Sequence, residues 1–267
     1  MTNMLKNHKI GILGFGRMGS AIADGLISGG FVAEIYTYDP LHSAHSGTTQ
    51  KNGIRFLSSP QELEKTCDLI LLAVKPQNMG EALKSYKGDK QYITIAAGLS
   101  IEKIEKFFPE GANPKIARAM PNISATVGKG VSGIYCSDKE LLEICLNIFN
   151  SIGFAVEIKE ERLMHAVTAL SGSGPAYVFA FLQGLAEGGV LCGLPYQTSL
   201  ELAAHTLIGA AEMCMKTGEH PSVLRNRVTS PGGTTIAGLK ALEEDSFQGT
   251  IMRAVEKAAE RSRELGS

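Results

Sequence analysis

Eight residues near the end of the chain, Val228 to Thr235 (VTSPGGTT), combine hydroxyls, two adjacent glycines and the start of a helix, since an amphipathic run opens at Ile236. Gly232 and Gly233 let the backbone turn tightly and approach a ligand. A helix N-terminus offers unpaired N–H groups and the positive end of the dipole. Ser230, Thr234 and Thr235 add hydroxyl donors, so the segment is a receptor for a small carboxylate. At the other end of the chain, Gly14-Phe15-Gly16-Arg17-Met18-Gly19 follows a short apolar run and opens a helical one. Gly14 permits a tight turn, Gly16 lets a pyrophosphate reach the backbone, and Gly19 allows close helix–strand packing. Together the two ends point to redox chemistry on a small anion.

Further residues fall where a dinucleotide would lie. Asp39 ends the second strand-like run, twenty residues beyond Gly19. A carboxylate there accepts from a ribose 2′-OH and repels a 2′-phosphate, and no Arg or Lys lies between Asp39 and Gln50. The residues alone therefore favour NADH over NADPH; the bland alternative is that Asp39 caps a turn with Pro40. Ala73-Val74-Lys75-Pro76 closes a later strand, where ligands gather in such sheets. Pro76 makes Lys75 part of a rigid loop under the cofactor rather than a catalytic base. Ala96-Ala97-Gly98 and Arg118-Ala119-Met120-Pro121-Asn122 close two more strands, and Ala97, Gly98, Pro121 and Asn122 are expected to line the cofactor with backbone. Ser171-Gly172-Ser173-Gly174-Pro175-Ala176-Tyr177 reads as a turn between two helices, with a mixed structural and site role.

Other titratable groups carry little. His165 and His205 stand in apolar helical stretches without HxxxH spacing or a Cys/His cluster, so no metal site is expected. Glu160-Glu161 and Glu243-Glu244 read as solvated helix ends.

The elements that must position these groups change character along the chain. Lys9–Leu13, Glu34–Tyr38, Leu69–Ala73, Tyr92–Ile95, Lys115–Ala119 and Ala155–Ile158 read as strands. Helical runs at Arg17–Ser28, Gln61–Lys65, Asn78–Tyr86, Ser100–Phe107 and Asp138–Asn150 lie between them. The alternation predicts an α/β fold: an N-terminal Rossmann domain, residues 1–160, with a doubly wound parallel sheet covered on both faces. Beyond it only helices are expected, at Glu161–Leu170, Pro175–Cys192, Thr198–Thr217, Thr235–Glu244 and Gln248–Leu265, giving an all-helical dimerisation and substrate-binding domain over 161–267. Pro195 and Pro221 stand where helices can begin. Pro175–Cys192 is apolar almost all round, and roughly a hundred residues make a thin shell around such a helix, so a second subunit is expected to cover it.

Composition narrows the class. Of the 267 residues, 44% are hydrophobic and 20% charged, as in ordinary globular domains. A net charge of −1 supplies no basic field for nucleic acid or an anionic membrane. The five cysteines form no CxxC pair and suit reduced thiols in a cytoplasm. Met1–His8 lacks an apolar signal core, and Met164–Leu194, the most apolar stretch, is interrupted by glycines, Gln183 and Glu187, so no membrane span is expected.

GFGRMG, AVKP, AAG, RAMPN, SGSGPAY and VTSPGGTT occur in that order over nearly the whole chain, and the set closely resembles the pyrroline-5-carboxylate reductase family. SGSGPAY with SPGGTT is its most specific part. The resemblance implies reduction of 1-pyrroline-5-carboxylate to L-proline by NADPH or NADH, and an interlocked dimer that often assembles further into decamers. It implies that Ser230 and the amides of Gly232–Thr235 hold the substrate carboxylate and that the Thr235 hydroxyl meets the ring nitrogen. The loop and the nicotinamide would come from different subunits. Many relatives favour NADPH, and Asp39 departs from that pattern. A β-hydroxyacid dehydrogenase of similar layout would need a lysine base early in the second domain, and no lysine lies between Lys159 and Lys216. A reductase of a related cyclic imino acid is the nearer alternative, because one methylene changes pocket energetics by only about 1–3 kcal/mol. A non-catalytic dinucleotide-sensing dimer would leave the SPGGTT loop unexplained.

Overall fold

Strand β1 (Ile10–Leu13) lies inside a sheet that, among the described residues of this computed structural model, has nine strands. The structure describes Leu5, residues 8–43 and residues 50–266. Most of the polar start, and positions 44–49 of the Arg- and Lys-free stretch after Asp39, lie outside them. The others are β2 (Ile35–Tyr38), β3 (Gln50–Lys51), β4 (Ile54–Phe56), β5 (Leu69–Leu72), β6 (Gln91–Thr94), β7 (Lys115–Met120), β8 (Gly130–Tyr135) and β9 (Gly153–Glu157). Their order is β3-β4-β2-β1-β5-β6-β7-β8-β9. The chain winds outward from β1 through β2 to β4, then returns to β5 on the other side of β1. The switch point, where open α/β sheets bind ligands, therefore falls between β1 and β5. In register, Leu13 stands beside both Tyr38 and Leu72, so Gly14, Asp39 and Ala73 leave the sheet at the same edge.

Burial on both faces explains why the central strands are apolar without alternation. In β5, Leu69 and Leu71 join one core with Ile12, Ile22 and Phe149, while Ile70 and Leu72 join a second with Leu63, Leu83 and Tyr92. The helix Arg17–Ser28 covers the first face with Ala21, Ile22, Ala23 and Leu26. Pro60–Thr66 covers the second; Ser59 accepts from Glu62 N at its start and Leu63 is buried. All five cysteines are free thiols, and burial pushes the Cys67 thiol up to about 12, which makes it inert.

The sheet departs from the all-parallel expectation in two places. β8 runs antiparallel to β7 and β3 antiparallel to β4. Neither β3, β4 nor β8 is legible in the sequence: β3 and β4 span two and three residues, and β8 (GVSGIY) carries two glycines and a serine. Pairing with β7 and β9, rather than side-chain pattern, holds β8 in place.

The expected continuous helix Glu161–Leu170 is also corrected. It consists of a 3₁₀ turn Glu161–Leu163, an α-turn Met164–Val167 and a π-turn Thr168–Gly172. Ser173 N donates to Thr168 O at 2.8 Å, and Asn122 Nδ2 donates to Ser171 O at 3.0 Å. Gly172 permits the fit, because a Cβ there would lie 2.7 Å from Met120 Cε. SGSGPAY thus holds the end of the π-turn, a single bend at Ser173 and the first residues of the next helix, so the turn expected between two helices is one residue long.

By packing, the chain forms two compact units, Met1–Ser173 with Glu256–Ser267, and Gly174–Val255. The division at 160/161 read from the sequence is of another kind, separating strand-bearing from strand-free chain; no described strand follows Glu157. The second unit holds helices Gly174–Leu191, Tyr196–Thr217, Pro221–Arg227 and Thr234–Glu244, and the first part of Phe247–Gly266. Pro195 precedes the second of these, and Pro221 opens the third with His220 capping Ser222 N. The first two helices pack closely because Gly189 leaves its space to Ser199 Oγ. Ala186 is the sole buried residue of Gly174–Leu191, while its Val178, Phe179 and Leu191 are exposed, the last by 90%. No helix among the described residues is long and apolar enough to cross a membrane.

Candidate functional site

The glycine-rich loop of the first unit is built by three different constraints. Gly14 has φ +95°, and a Cβ on it would lie 2.9 Å from Ala73 O. Its N–H donates to Tyr38 O at 2.8 Å, while Ala73 N donates to Leu13 O at 2.8 Å. GFGRMG and AVKP therefore meet at the switch point. Around Gly16 nothing lies within 4 Å of a would-be Cβ, leaving an open cradle. A Cβ on Gly19 would sit on Gly14 O, so that glycine lets the helix approach the strand. Gly16 caps the helix Arg17–Ser28 with no side-chain bond and no acid in the first turn, which leaves Arg17, Met18 and Gly19 amides to face an anion. An open glycine cradle beside uncapped amides fits a pyrophosphate.

Asp39 is more engaged than a ribose ligand alone would be. Its Oδ2 accepts from Phe15 N at 2.7 Å and its Oδ1 from Leu41 N at 2.8 Å. It ties the glycine loop to the end of β2 and also starts the short helix Pro40–Ser43, so the turn-capping role is real.

The remaining strand ends differ from one another. Lys75 is exposed and heads the 3₁₀ turn Pro76–Asn78, with Asn78 N bonded to its carbonyl at 2.9 Å. Ala97 is half-buried and Gly98 buried, and among the described residues their amides take no partner within the chain. Pro121 and Asn122 are buried, and both ends of the Asn122 amide are used internally, Nδ2 on Ser171 O and Oδ1 on Val131 N at 3.2 Å.

One feature was missed by the sequence reading. Glu161, read as a solvated helix end, accepts from Arg118 Nη1 and from Ile101 N, each at 2.8 Å. An arginine inside the otherwise apolar strand KIARAM was the signal that a buried partner existed. Glu160 does conform, pairing with exposed Arg162 at the surface. His165 is a partly buried packing residue, with Nδ1 3.0 Å from Ser262 Oγ. Burial first, then Arg118 and Arg263, hold its pKa below the usual histidine value.

In the second unit, Thr229 Oγ1 closes the helix Pro221–Arg227 on Arg225 O at 2.7 Å. Gly232 then takes φ +69°, and Gly233 N donates to Ser230 O at 3.2 Å. Ser230 Oγ fills the space that a side chain on Gly233 would take. Gly233 caps the helix Thr234–Glu244 without a side-chain bond. Ser230 and Thr234 are exposed and Thr235 is half-buried, and an uncapped helix N-terminus leaves its first-turn amides able to meet an anion. Arg227, just before the loop, pairs with Glu219 at 2.7 Å.

The chain is similar to known proteins over its full length. Residues 161–265 match the pyrroline-5-carboxylate reductase dimerisation family, and residues 9–112 match the family described as NADP oxidoreductase, coenzyme F420-dependent. The pyrroline-5-carboxylate reductase of Methanosarcina acetivorans is 41% identical over 98% of this chain and 99% of that protein. The chain belongs to the pyrroline-5-carboxylate reductase family. The Synechocystis pyrroline-5-carboxylate reductase is 43% identical over 97% of this chain and 98% of its own length. The crystal structure of the Plasmodium falciparum pyrroline carboxylate reductase with NADP bound superposes with a TM-score of 0.87, at 36% identity, covering 98% of this chain and 100% of that one. The chain is an NAD(P)H-dependent oxidoreductase of this pyrroline-5-carboxylate reductase family, with its Rossmann-like and helical dimerisation regions in the family order.

Proposed function

We propose that this chain reduces 1-pyrroline-5-carboxylate to L-proline. The observation that carries the reading is the coexistence of an open dinucleotide cradle at Gly14–Gly19 and an uncapped helix N-terminus at Gly232–Thr235, in a chain belonging to the family over its whole length. When bound, the nicotinamide supplies a hydride to the imine carbon, and the ring nitrogen ends as the amine. Gly14, Phe15, Gly16, Arg17, Met18 and Gly19 hold the pyrophosphate; Asp39 takes the ribose. Ala73, Val74, Lys75, Pro76, Ala97, Gly98, Pro121 and Asn122 shape the rest of the cofactor site, Asn122 by holding backbone. Ser230, Thr234 and the Gly232–Thr235 amides anchor the carboxylate. The Thr235 hydroxyl orients the ring nitrogen; a protonated imine is already electrophilic, so positioning is the main task.

The division of labour is 1–160 for cofactor and 161–267 for substrate and dimerisation. The exposed apolar face of Gly174–Leu191 supports an interlocked dimer, in which the loop of one subunit meets the nicotinamide held by its partner. Assembly of five such dimers into a decamer belongs to the same reading. Asp39 supports NADH as the better cofactor, in a cytoplasmic enzyme. Absorbance-monitored oxidation of NADH and NADPH with 1-pyrroline-5-carboxylate tests the reading. Turnover supports it. No turnover with either cofactor, in folded dimeric protein, overturns it; turnover only with the six-membered ring imine reassigns the substrate.

A further inference from the structure

The helix Phe247–Gly266 ends backbone-to-backbone against the loop that closes β6. Gly98 has φ +83°, and a Cβ on it would lie 3.3 Å from both Gly266 N and Leu265 C. A Cβ on Gly266 would sit directly on the Gly98 carbonyl oxygen. Leu265 is 59% exposed, so apolar burial does not bring the two segments together. Polar anchors do. Lys103 Nζ donates to Gly266 O, one of the carbonyls that a helix end leaves unpaired, and its positive charge suits that end of the dipole. One turn earlier, buried Ser262 meets His165.

The rest of the same loop is fixed too. Ala96 N donates to Thr94 Oγ1 at 3.2 Å, Lys103 N to Ser100 Oγ at 3.2 Å, and Ile101 N to Glu161. Past Ala96, the amides of Ala97 and Gly98, like those of Leu99 and Ser100, have no partner within the chain among the described residues.

We propose that Gly266 and Lys103 are positioning residues for the cofactor: the helix end clamps the Ala96–Gly98 loop so that its two spare amides keep one orientation toward the dinucleotide. The inference rests on the reading that this loop lines the cofactor site. Gly266 is required because any side chain would push the helix off Gly98, and Lys103 because it holds the helix end down.

Gly266→Val, Lys103→Met and Lys103→Arg, made in the full chain, test it. Calorimetric titration with NADH and NADPH, and steady-state kinetics with each substrate varied, are the readouts. Gly266→Val and Lys103→Met are expected to weaken cofactor binding roughly tenfold, since a displacement of about an ångström is enough for losses of that size. KM for the imine should stay within about twofold, and Lys103→Arg should restore cofactor binding. Unchanged cofactor affinity in both Gly266→Val and Lys103→Met overturns the clamp. So does a uniform loss of activity that tracks lost folded protein. If Gly266→Val does not fold, the Lys103 pair decides. Wild-type protein that binds neither nucleotide removes the cofactor-site reading, and the clamp with it.

Discussion

Arg118 Nη1 lies 2.8 Å from Glu161 Oε1, and the arginine side chain is only 5% exposed against 28% for the glutamate. The pair joins β7 to the 3₁₀ turn that follows the sheet, and the same carboxylate oxygen receives Ile101 N. The two partners are not equivalent. Removing the glutamate strands a buried guanidinium, whereas removing the arginine leaves a partly solvated carboxylate that keeps a backbone donor. Glu161→Ala is expected to cost about 3 kcal/mol and Arg118→Met distinctly less. Urea denaturation of both variants checks this; equal losses, or a larger loss for Arg118→Met, would contradict the asymmetry.

Asp39 combines a structural bond with a proposed charge effect, and substitution separates them. Asp39→Asn keeps an acceptor for Phe15 N or Leu41 N while removing the repulsion of a 2′-phosphate. The ratio of kcat/KM for NADPH to that for NADH should rise about tenfold, or about 1.4 kcal/mol. A ratio that does not move would leave Asp39 with loop anchoring alone.

Thr235 stands at the first turn of an uncapped helix, so its hydroxyl and its amide can be tested apart. Thr235→Ala retains the amide. Turnover of the imine is expected to fall roughly a hundredfold, the lower end of what a positioned proton-handling group contributes. The dissociation constant for the nicotinamide cofactor should not change, and Thr235→Ser should recover most of the rate. Parallel losses in turnover and cofactor affinity would place Thr235 in folding rather than chemistry.

His165 is kept neutral by burial and by the nearby Arg118 and Arg263 charges, so its folded pKa lies below the ordinary value of 6.5. In the unfolded chain it takes up a proton first as pH falls. Its contribution to stability is therefore complete above about pH 6.5 and declines as pH drops from there toward the folded pKa. The urea midpoint of the wild type should fall over that window, and His165→Gln should show a flatter profile. Identical profiles would assign the loss to other groups.

The sequence by itself determined whatever depends on residues close together along the chain. Gly14, Gly16 and Gly19 define their turn, cradle and helix approach over six residues, and their types follow from backbone sterics. Ser59, Ser100 and Asp138 cap the helices that follow them, because an N-cap bond spans only three residues. The unbroken apolar runs of β1 and β5 could announce burial on both faces, since nothing else makes such runs soluble. The turn at Gly232 and the helix start at Thr234 were legible for the same local reason.

Tertiary structure decided whatever joins distant residues. β8 exists through ladders to β7 and β9, not through its own glycine-rich pattern. Glu161 resembled any surface glutamate until folding brought Arg118 and Ile101 N to it. The π-turn depends on Asn122 reaching Ser171, forty-nine positions away. Gly266, which lies one residue beyond the helix expected to end at Leu265, is constrained by its contact with Gly98. Spacing and propensity record the cost of local conformations, but a contact between remote segments draws its energy from a partner that the local sequence does not name.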